Sequence, residues 1–183
     1  MVNKVILSGG GNESAKLIET YPSALIVTID YGQRAWRQEL EATKRLAGNR
    51  DVITLKASGV YNDTRAVLSN TLIEIPNRNM MLVSMVAAWA ISHLEGDVEI
   101  LIGVHKTINE ADLMWDCSED WVKAMNKALP HNVQLVAPFM HSLKRGILCS
   151  PSLRPLTYSC VRGVEGEGCG ECEKCRVRQK YLH

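Results

Sequence analysis

The chain has 183 residues, 46% of them hydrophobic, and a formal net charge of +1 at pH 7. That length suits one domain with at most a small appendage, with enough apolar residues to bury a full core. Near-neutral charge argues against a general nucleic-acid or membrane surface, and the most apolar long stretch, Met80 to Ile91, is too short to span a bilayer.

In chain order, Lys4 to Leu7 reads as a short strand that ends in Ser8-Gly9-Gly10-Gly11. Its apolar core, Val5 to Leu7, is too brief for a signal peptide. A helix is expected from about Glu13 to Glu19, broken by Tyr21-Pro22-Ser23. Ala24 to Ile29 is continuously apolar or β-branched, the mark of a strand buried on both faces, with Asp30-Tyr31-Gly32 at its carboxyl end. Gln33 to Ala47 carries Trp36, Leu40, Thr43 and Ala47 at helical steps, and Gly48 closes that helix. Val52 to Leu55 is a third strand. Residues 57–77 lack steady periodicity and are expected to form a loop. The run Asn79 to His93 predicts the most apolar helix. Val98 to Ile102 is a fourth strand, followed by Gly103-Val104-His105 and a loop over 105–115. Ser118 to Leu129 is an amphipathic helix through Trp121, Met125 and Leu129; Val133 to Val136 is a fifth strand; Ser142 to Leu148 is a short helix.

Strands alternating with helices predict right-handed βαβ units and an α/β fold with a doubly wound, Rossmann-like, parallel five-stranded sheet. We expect an α/β domain over 1–157 and a C-terminal module over 158–183 packed on it. Ligands in such sheets sit beyond the carboxyl ends of the strands, which collects Ser8 to Gly10, Asp30 to Gly32 and Gly103 to His105 at one edge.

Four cysteines crowd the C-terminal module: Cys160, Cys169, Cys172 and Cys175. Overlapping Cys-x-x-Cys steps suit tetrahedral zinc, with a pair of disulfides or an iron–sulfur cluster as the other readings. Nothing marks the chain as secreted, so a reducing, cytosolic setting is expected, with Cys117 and Cys149 as free thiols. Ser8-Gly9-Gly10 lies between a strand and a helix, where backbone N–H groups and the helix dipole attract an anion; a plain tight turn is the alternative. Arg78, between Asn77 and Asn79, is either a solvated residue at a capping turn or a clamp for phosphate or carboxylate. Asp30 is a turn residue or a ligand for ribose, metal or base. Asp116-Cys117 is an N-cap with a buried thiol, or part of a site. For His105, after Gly103-Val104, the plain reading is a residue that lines a loop.

Together these motifs resemble the 7-cyano-7-deazaguanine synthase family of N-type ATP pyrophosphatases. The family's Ser-Gly-Gly-x-Asp-Ser is similar to Ser8-Gly9-Gly10-Gly11-Asn12-Glu13, and Asp-Tyr-Gly-Gln-Arg appears unbroken as Asp30-Tyr31-Gly32-Gln33-Arg34. Val-Pro-Gly-Arg-Asn resembles Ile75-Pro76-Asn77-Arg78-Asn79, and Pro-Asp-Cys-Arg resembles Trp115-Asp116-Cys117-Ser118. The Gly103-Val104 strand end and all four module cysteines match as well. The resemblance implies a HUP-type fold and ATP-dependent conversion of 7-carboxy-7-deazaguanine and ammonia to the nitrile, 7-cyano-7-deazaguanine, through an adenylated carboxylate. It implies structural zinc on the four cysteines, and hydrated magnesium bridging phosphate oxygens. Leu7, Ser8, Gly9, Gly10, Gly11, Asn12, Glu13, Ser14, Asp30, Tyr31, Gly32, Gln33, Arg34, Asn79 and Gly103 would line the nucleotide site, with Arg78 and Asp116 at the reacting groups. A homodimer is compatible with it.

The sequence departs from the family in a shorter stretch between Leu55 and Pro76, in Ser118 where the family has Arg, and in the glycine turn. Asn12 stands for the family's Asp and Glu13 for its Ser, which puts a negative charge where pyrophosphate should lie. If the loop takes ATP, Ser8, Gly9, Gly10 and Ser14 are expected to form the anion pocket, and Glu13 to point away or engage magnesium. Asp30 to Arg34 and Arg78 favour an active enzyme. Asn12 and Glu13 favour a protein that keeps the fold and holds a nucleotide, a deazapurine or a protein partner. A nucleic-acid binder using Lys174, Arg176, Arg178 and Lys180 is disfavoured by the near-neutral charge.

Overall fold

The computed structural model describes residues 2–57, 59–60, 67–68, 73–75, 77–105 and 115–182. Pro76 and most of the two expected loops, 57–77 and 105–115, lie outside the described residues. Strand β1 (Val2–Leu7) leads into helix α1 (Asn12–Thr20), β2 (Leu25–Asp30), α2 (Trp36–Ala47) and β3 (Val52–Lys56). Two short strands, β4 (Val67–Leu68) and β5 (Ile73–Glu74), pair antiparallel. Then follow α3 (Arg78–His93), β6 (Asp97–Leu101), α4 (Glu119–Ala128), β7 (Val133–Val136) and α5 (Glu173–Leu182).

Five strands form one sheet in the order β3-β2-β1-β6-β7. Every adjacent pair in it is parallel. Register aligns the side chains in rows across the sheet. Val52, Ile26, Ile6, Leu101 and Val136 form one row and belong to one core cluster. The next residue along alternates to the opposite face, where Val5, Val27, Ile100 and Leu135 belong to a second cluster. This explains the unbroken apolar strands: a parallel sheet covered on both faces has no polar side.

Helices α1 and α2 cover the first face through Ala15, Leu17, Ile18, Leu46 and Ala47, joined by Phe139, Ile147 and Cys149. Helices α3 and α4 cover the second through Leu82, Val83, Val86, Ala90, Trp121 and Met125. Burying each such aliphatic side chain contributes about 1.5–3 kcal/mol. Ser118 caps α4, its hydroxyl accepting the Trp121 N–H at 3.1 Å.

Three local expectations change. Helix α2 starts at Trp36 rather than Gln33. The Gln33 side chain accepts the Tyr31 N–H at 3.0 Å and donates to the Ile29 carbonyl at 3.1 Å, which holds 31–33 in a turn. Thr43, the half-polar member of the expected stripe, is fully buried, while Trp36 and Leu40 are only half-buried. The expected helix Ser142 to Leu148 is a 3-10 turn over Lys144–Ile147. Helix α5 had no apolar periodicity to announce it, and the β4–β5 pair was not anticipated either.

Candidate functional site

The strand order reverses at β1, which has β2 on one side and β6 on the other. Sheets of this kind take their ligands beyond the carboxyl ends of the strands at such a reversal, here those of β1 and β6. Leu7 ends β1 and packs into the core, and Ser8 to Gly11 turn directly into α1.

The hydroxyls of that turn are engaged inside it. Ser14 Oγ accepts the Gly9 N–H at 3.0 Å, and Ser8 Oγ accepts the Gly10 N–H at 3.3 Å. Ser8 also bonds Thr43 at 3.0 Å, which accounts for the buried threonine. The Gly11 carbonyl accepts the Ala15 N–H at 2.9 Å and starts the helix. Asn12 is buried, donates from Nδ2 to the Ile147 carbonyl at 3.1 Å, and accepts the Cys149 N–H at 3.1 Å.

Glu13 has partners within the chain itself. Its carboxylate pairs with Lys144 Nζ and lies 3.3 Å from His105 Nε2. Gly103 makes room for this: a Cβ there would come within 2.6 Å of the Glu13 Cβ. Burial alone would push the carboxyl up. The hydrogen bonds from His105 and Lys144, the Lys144 charge and its own backbone N–H outweigh that and hold it far below the usual carboxylate range. Lys144 carried no signal in the sequence, because it lies 131 residues from Glu13 on an irregular turn.

A second set of groups gathers beside the Asp30–Arg34 turn. Asp30 accepts the Gly32 N–H at 3.0 Å, so its carboxylate shapes the turn. Tyr31, Gln33, Arg34, Glu39, Arg78, Ile75, Ala35 and Val161 line one small pocket. Gln33 Nε2 donates to Glu39 at 2.9 Å. Burial raises the Glu39 pKa, against the pull of Gln33 and Arg78. Burial also works against the charge on Arg78, but Tyr31, Glu39, Asp116 and Cys117 outweigh it and keep the guanidinium charged. Arg78 reaches Asn79 Oδ1 only at 3.4 Å, and its buried Nε–H has no acceptor among the described residues. Glu39 and Val161 were missed by sequence reading. Glu39 sits on a helix face that looks merely solvated, and Val161 reaches the pocket only through the fold of the C-terminal segment.

Asp116 and Asn79 interlock next to Arg78. Asp116 Oδ2 accepts the Asn79 N–H at 3.0 Å, and the Asp116 carbonyl accepts from Asn79 Nδ2 at 2.9 Å. Asp116 thus stabilises the start of α3 rather than its own following helix. Asn79 Nδ2 also reaches Cys117 Sγ at 3.4 Å. Burial, with Asp116 alongside, pushes the Cys117 thiol up to about 11.

The four module cysteines converge. The sulfurs of Cys160, Cys169, Cys172 and Cys175 all lie within 4.8 Å of one another, and none is in a disulfide. A tetrahedral metal with bonds of about 2.3 Å asks for sulfurs at nearly this separation. Backbone N–H groups of Cys169 and Cys172 point at Cys160 and Cys169 sulfurs at 3.4 and 3.3 Å, as ligands carrying negative charge require. The donor set therefore fits a metal ion. The module seats on the pocket: Gly163, at φ +68, lies so close to the Arg34 carbonyl that a Cβ would approach it to 2.2 Å. The Tyr158 N–H donates to the Gly10 carbonyl at 2.8 Å, joining module to glycine turn.

A doubly wound α/β sheet with a glycine turn at its switch point, an arginine pocket beside it and a four-thiol cluster against both defines the class. The sequence model for queuosine biosynthesis protein QueC matches residues 3–183, and the chain belongs to that family. Among the described residues no helix is long and apolar enough to cross a membrane.

Proposed function

We propose that the chain is an ATP-dependent ligase of the 7-cyano-7-deazaguanine synthase type. The carboxylate of 7-carboxy-7-deazaguanine attacks ATP to give the acyl-adenylate and pyrophosphate. Ammonia displaces AMP to give the amide, and a second activation followed by loss of AMP and a proton gives the nitrile. The observation that carries this reading is Arg78: a charged guanidinium lining a pocket, with a buried Nε–H that lacks an acceptor among the described residues. Such a group suits a ligand carboxylate or phosphate. Asp116 fixes the start of α3 and so the place of Arg78. Asp30 to Arg34 shape the other wall, and the glycine turn with Gly103 would face the phosphate tail, where magnesium would neutralise phosphate charge.

Zinc on Cys160, Cys169, Cys172 and Cys175 serves a structural role in this reading: it would hold residues 158–183 as a module against the nucleotide-binding unit, 1–157. Zinc is chosen over iron because four thiolates close its coordination shell without redox chemistry.

A second reading is favoured by Glu13, whose paired carboxylate stands where the phosphate tail would enter. In that reading the protein binds a deazapurine without activating it. Incubation with 7-carboxy-7-deazaguanine, ATP, magnesium and ammonium, followed by mass spectrometry, separates the two. Amide or nitrile together with AMP supports the ligase. Binding of the 7-carboxy compound with no AMP released supports the binding protein.

A further inference from the structure

The Glu13 carboxylate behaves as an anion already seated at the switch point. Three separate parts of the chain supply its partners. Its own backbone N–H at the start of α1 contributes, Lys144 comes from the 3-10 turn Lys144–Ile147, and His105 follows β6. Gly103 grants it space that any side chain would take. The side chains of Glu13 and Lys144 are only 24% and 20% exposed, so water screens the pair weakly. Donors and cations arranged in this way around a helix start are what a phosphate group seeks.

We propose that Glu13 is an internal competitor for a nucleotide's phosphate tail, and that the Lys144 ammonium, with the His105 imidazole beside it, is what the two compete for. One carboxylate carries one negative charge, whereas a diphosphate or triphosphate carries several, so a polyphosphate can displace Glu13 but must give up part of its binding energy to do so. Glu13 thereby sets the affinity and specificity of the loop: it weakens ligands that rely on the phosphate tail and leaves a base or nucleoside unaffected. This rests on the reading of the loop as nucleotide-facing, and it does not need the chain to turn over.

Calorimetry with inorganic pyrophosphate, with and without magnesium, tests it on the full chain. Glu13→Gln keeps the shape of the side chain and removes its charge; Glu13→Ser removes the competitor altogether. We expect both to bind pyrophosphate at least tenfold more tightly than the wild type, and Lys144→Met placed on Glu13→Gln to abolish that gain. Adenosine affinity should not change in any of them. Pyrophosphate affinity unchanged in whichever of the two Glu13 variants folds, or a gain that survives loss of Lys144, overturns the proposal. Failure of the ligase reading looks different: no AMP appears in turnover assays, while the response of pyrophosphate binding to Glu13 remains.

Discussion

The four-cysteine module and the glycine turn both gather groups suited to a charged partner, yet they balance that charge in opposite ways. In the module, four sulfurs within 4.8 Å face one another with backbone N–H groups behind them. Arg162 lies near Cys169 and Cys172, but one guanidinium cannot offset four converging thiolates, so the arrangement suits a metal. At the turn, the chain supplies both charges itself, Glu13 against Lys144, with His105 Nε2 at 3.3 Å from the carboxylate. The difference teaches that a motif's spacing reports a ligand faithfully only where the chain cannot satisfy the motif from within.

The sharpest way to break the comparison is to remove the metal. Structural zinc contributes about 10–16 kcal/mol in small modules. The module adds few apolar residues of its own to the core: Tyr158 and the cysteines pack on Ala35 and Ala42. Stripping with a chelator, or Cys172→Ser, should therefore unfold most of residues 158–182 and open the Val161 wall of the pocket. Hydrogen exchange over that segment measures it, and elemental analysis should give one zinc per chain. Iron, or a segment that stays protected without metal, would refute the zinc assignment.

Next in size is Asn12. Restoring the family's residue, Asn12→Asp, should lower stability, because a carboxylate cannot donate to the Ile147 carbonyl that Asn12 Nδ2 now reaches. Leaving that buried acceptor unpaired beside a new charge costs about 1–3 kcal/mol. In a chain of this size each kcal/mol moves the melting temperature by about 2–4 °C. A melting temperature that holds or rises would show that the 147–149 segment does not depend on this bond.

These cases mark what was legible. The five sheet strands, their shared parallel direction and the helices on both faces could be read because continuous apolar runs and helical stripes record burial directly. The four cysteines could be read because metal ligands must recur at close spacing. The partners of the turn could not. Lys144 meets Glu13, and Ile147 and Cys149 meet Asn12, only after the chain past β7 folds back over α1, and no periodicity encodes that return. The partner of Asp116 was hidden for the same reason: Asn79 belongs to a different helix.

Arg78 sharpens the comparison from the pocket side. If it receives a carboxylate, Arg78→Ala should weaken binding of 7-carboxy-7-deazaguanine on the order of tenfold to a hundredfold, the worth of a charged hydrogen bond at about 1.5–3 kcal/mol. The melting temperature should move less than the affinity, since the hydrogen bond from the guanidinium to Asn79 is long, at 3.4 Å, and its remaining hold on the fold is attraction to Glu39 and Asp116. A stable loss of binding supports the clamp; a collapse in melting temperature with binding intact would make Arg78 structural.

A smaller effect follows from the sign of the Glu13 shift. Its folded pKa is depressed below the ordinary 4.5. The pair's contribution to stability is therefore complete above that value and is lost as the pH falls below it toward the folded pKa. Glu13→Gln should remove this part of the acid sensitivity, so the stability curves of wild type and variant should converge as the pH drops from 4.5 toward 2. Parallel curves over that range would mean the carboxylate is not held by Lys144 and His105.

The smallest expected effect distinguishes the Cys117 thiol from the module thiols. Cys117 lies beside Asn79 and Asp116, in the neighbourhood of Arg78, a place where a nucleophile would be tempting to assign. Its thiol is pushed up to about 11, so at pH 8 only about one molecule in a thousand carries the thiolate. Native-state alkylation at Cys117 should therefore be far slower than at an exposed reference thiol and should rise steadily between pH 8 and 10. Cys117→Ser retains an acceptor for Asn79 Nδ2 and should change turnover, or ligand affinity, by less than about twofold, within the modest range expected when one weak neutral contact is exchanged for another. Rapid labelling at pH 7, or loss of turnover in the serine variant, would instead put the sulfur at the reacting centre and give the pocket a covalent role that its present charges oppose.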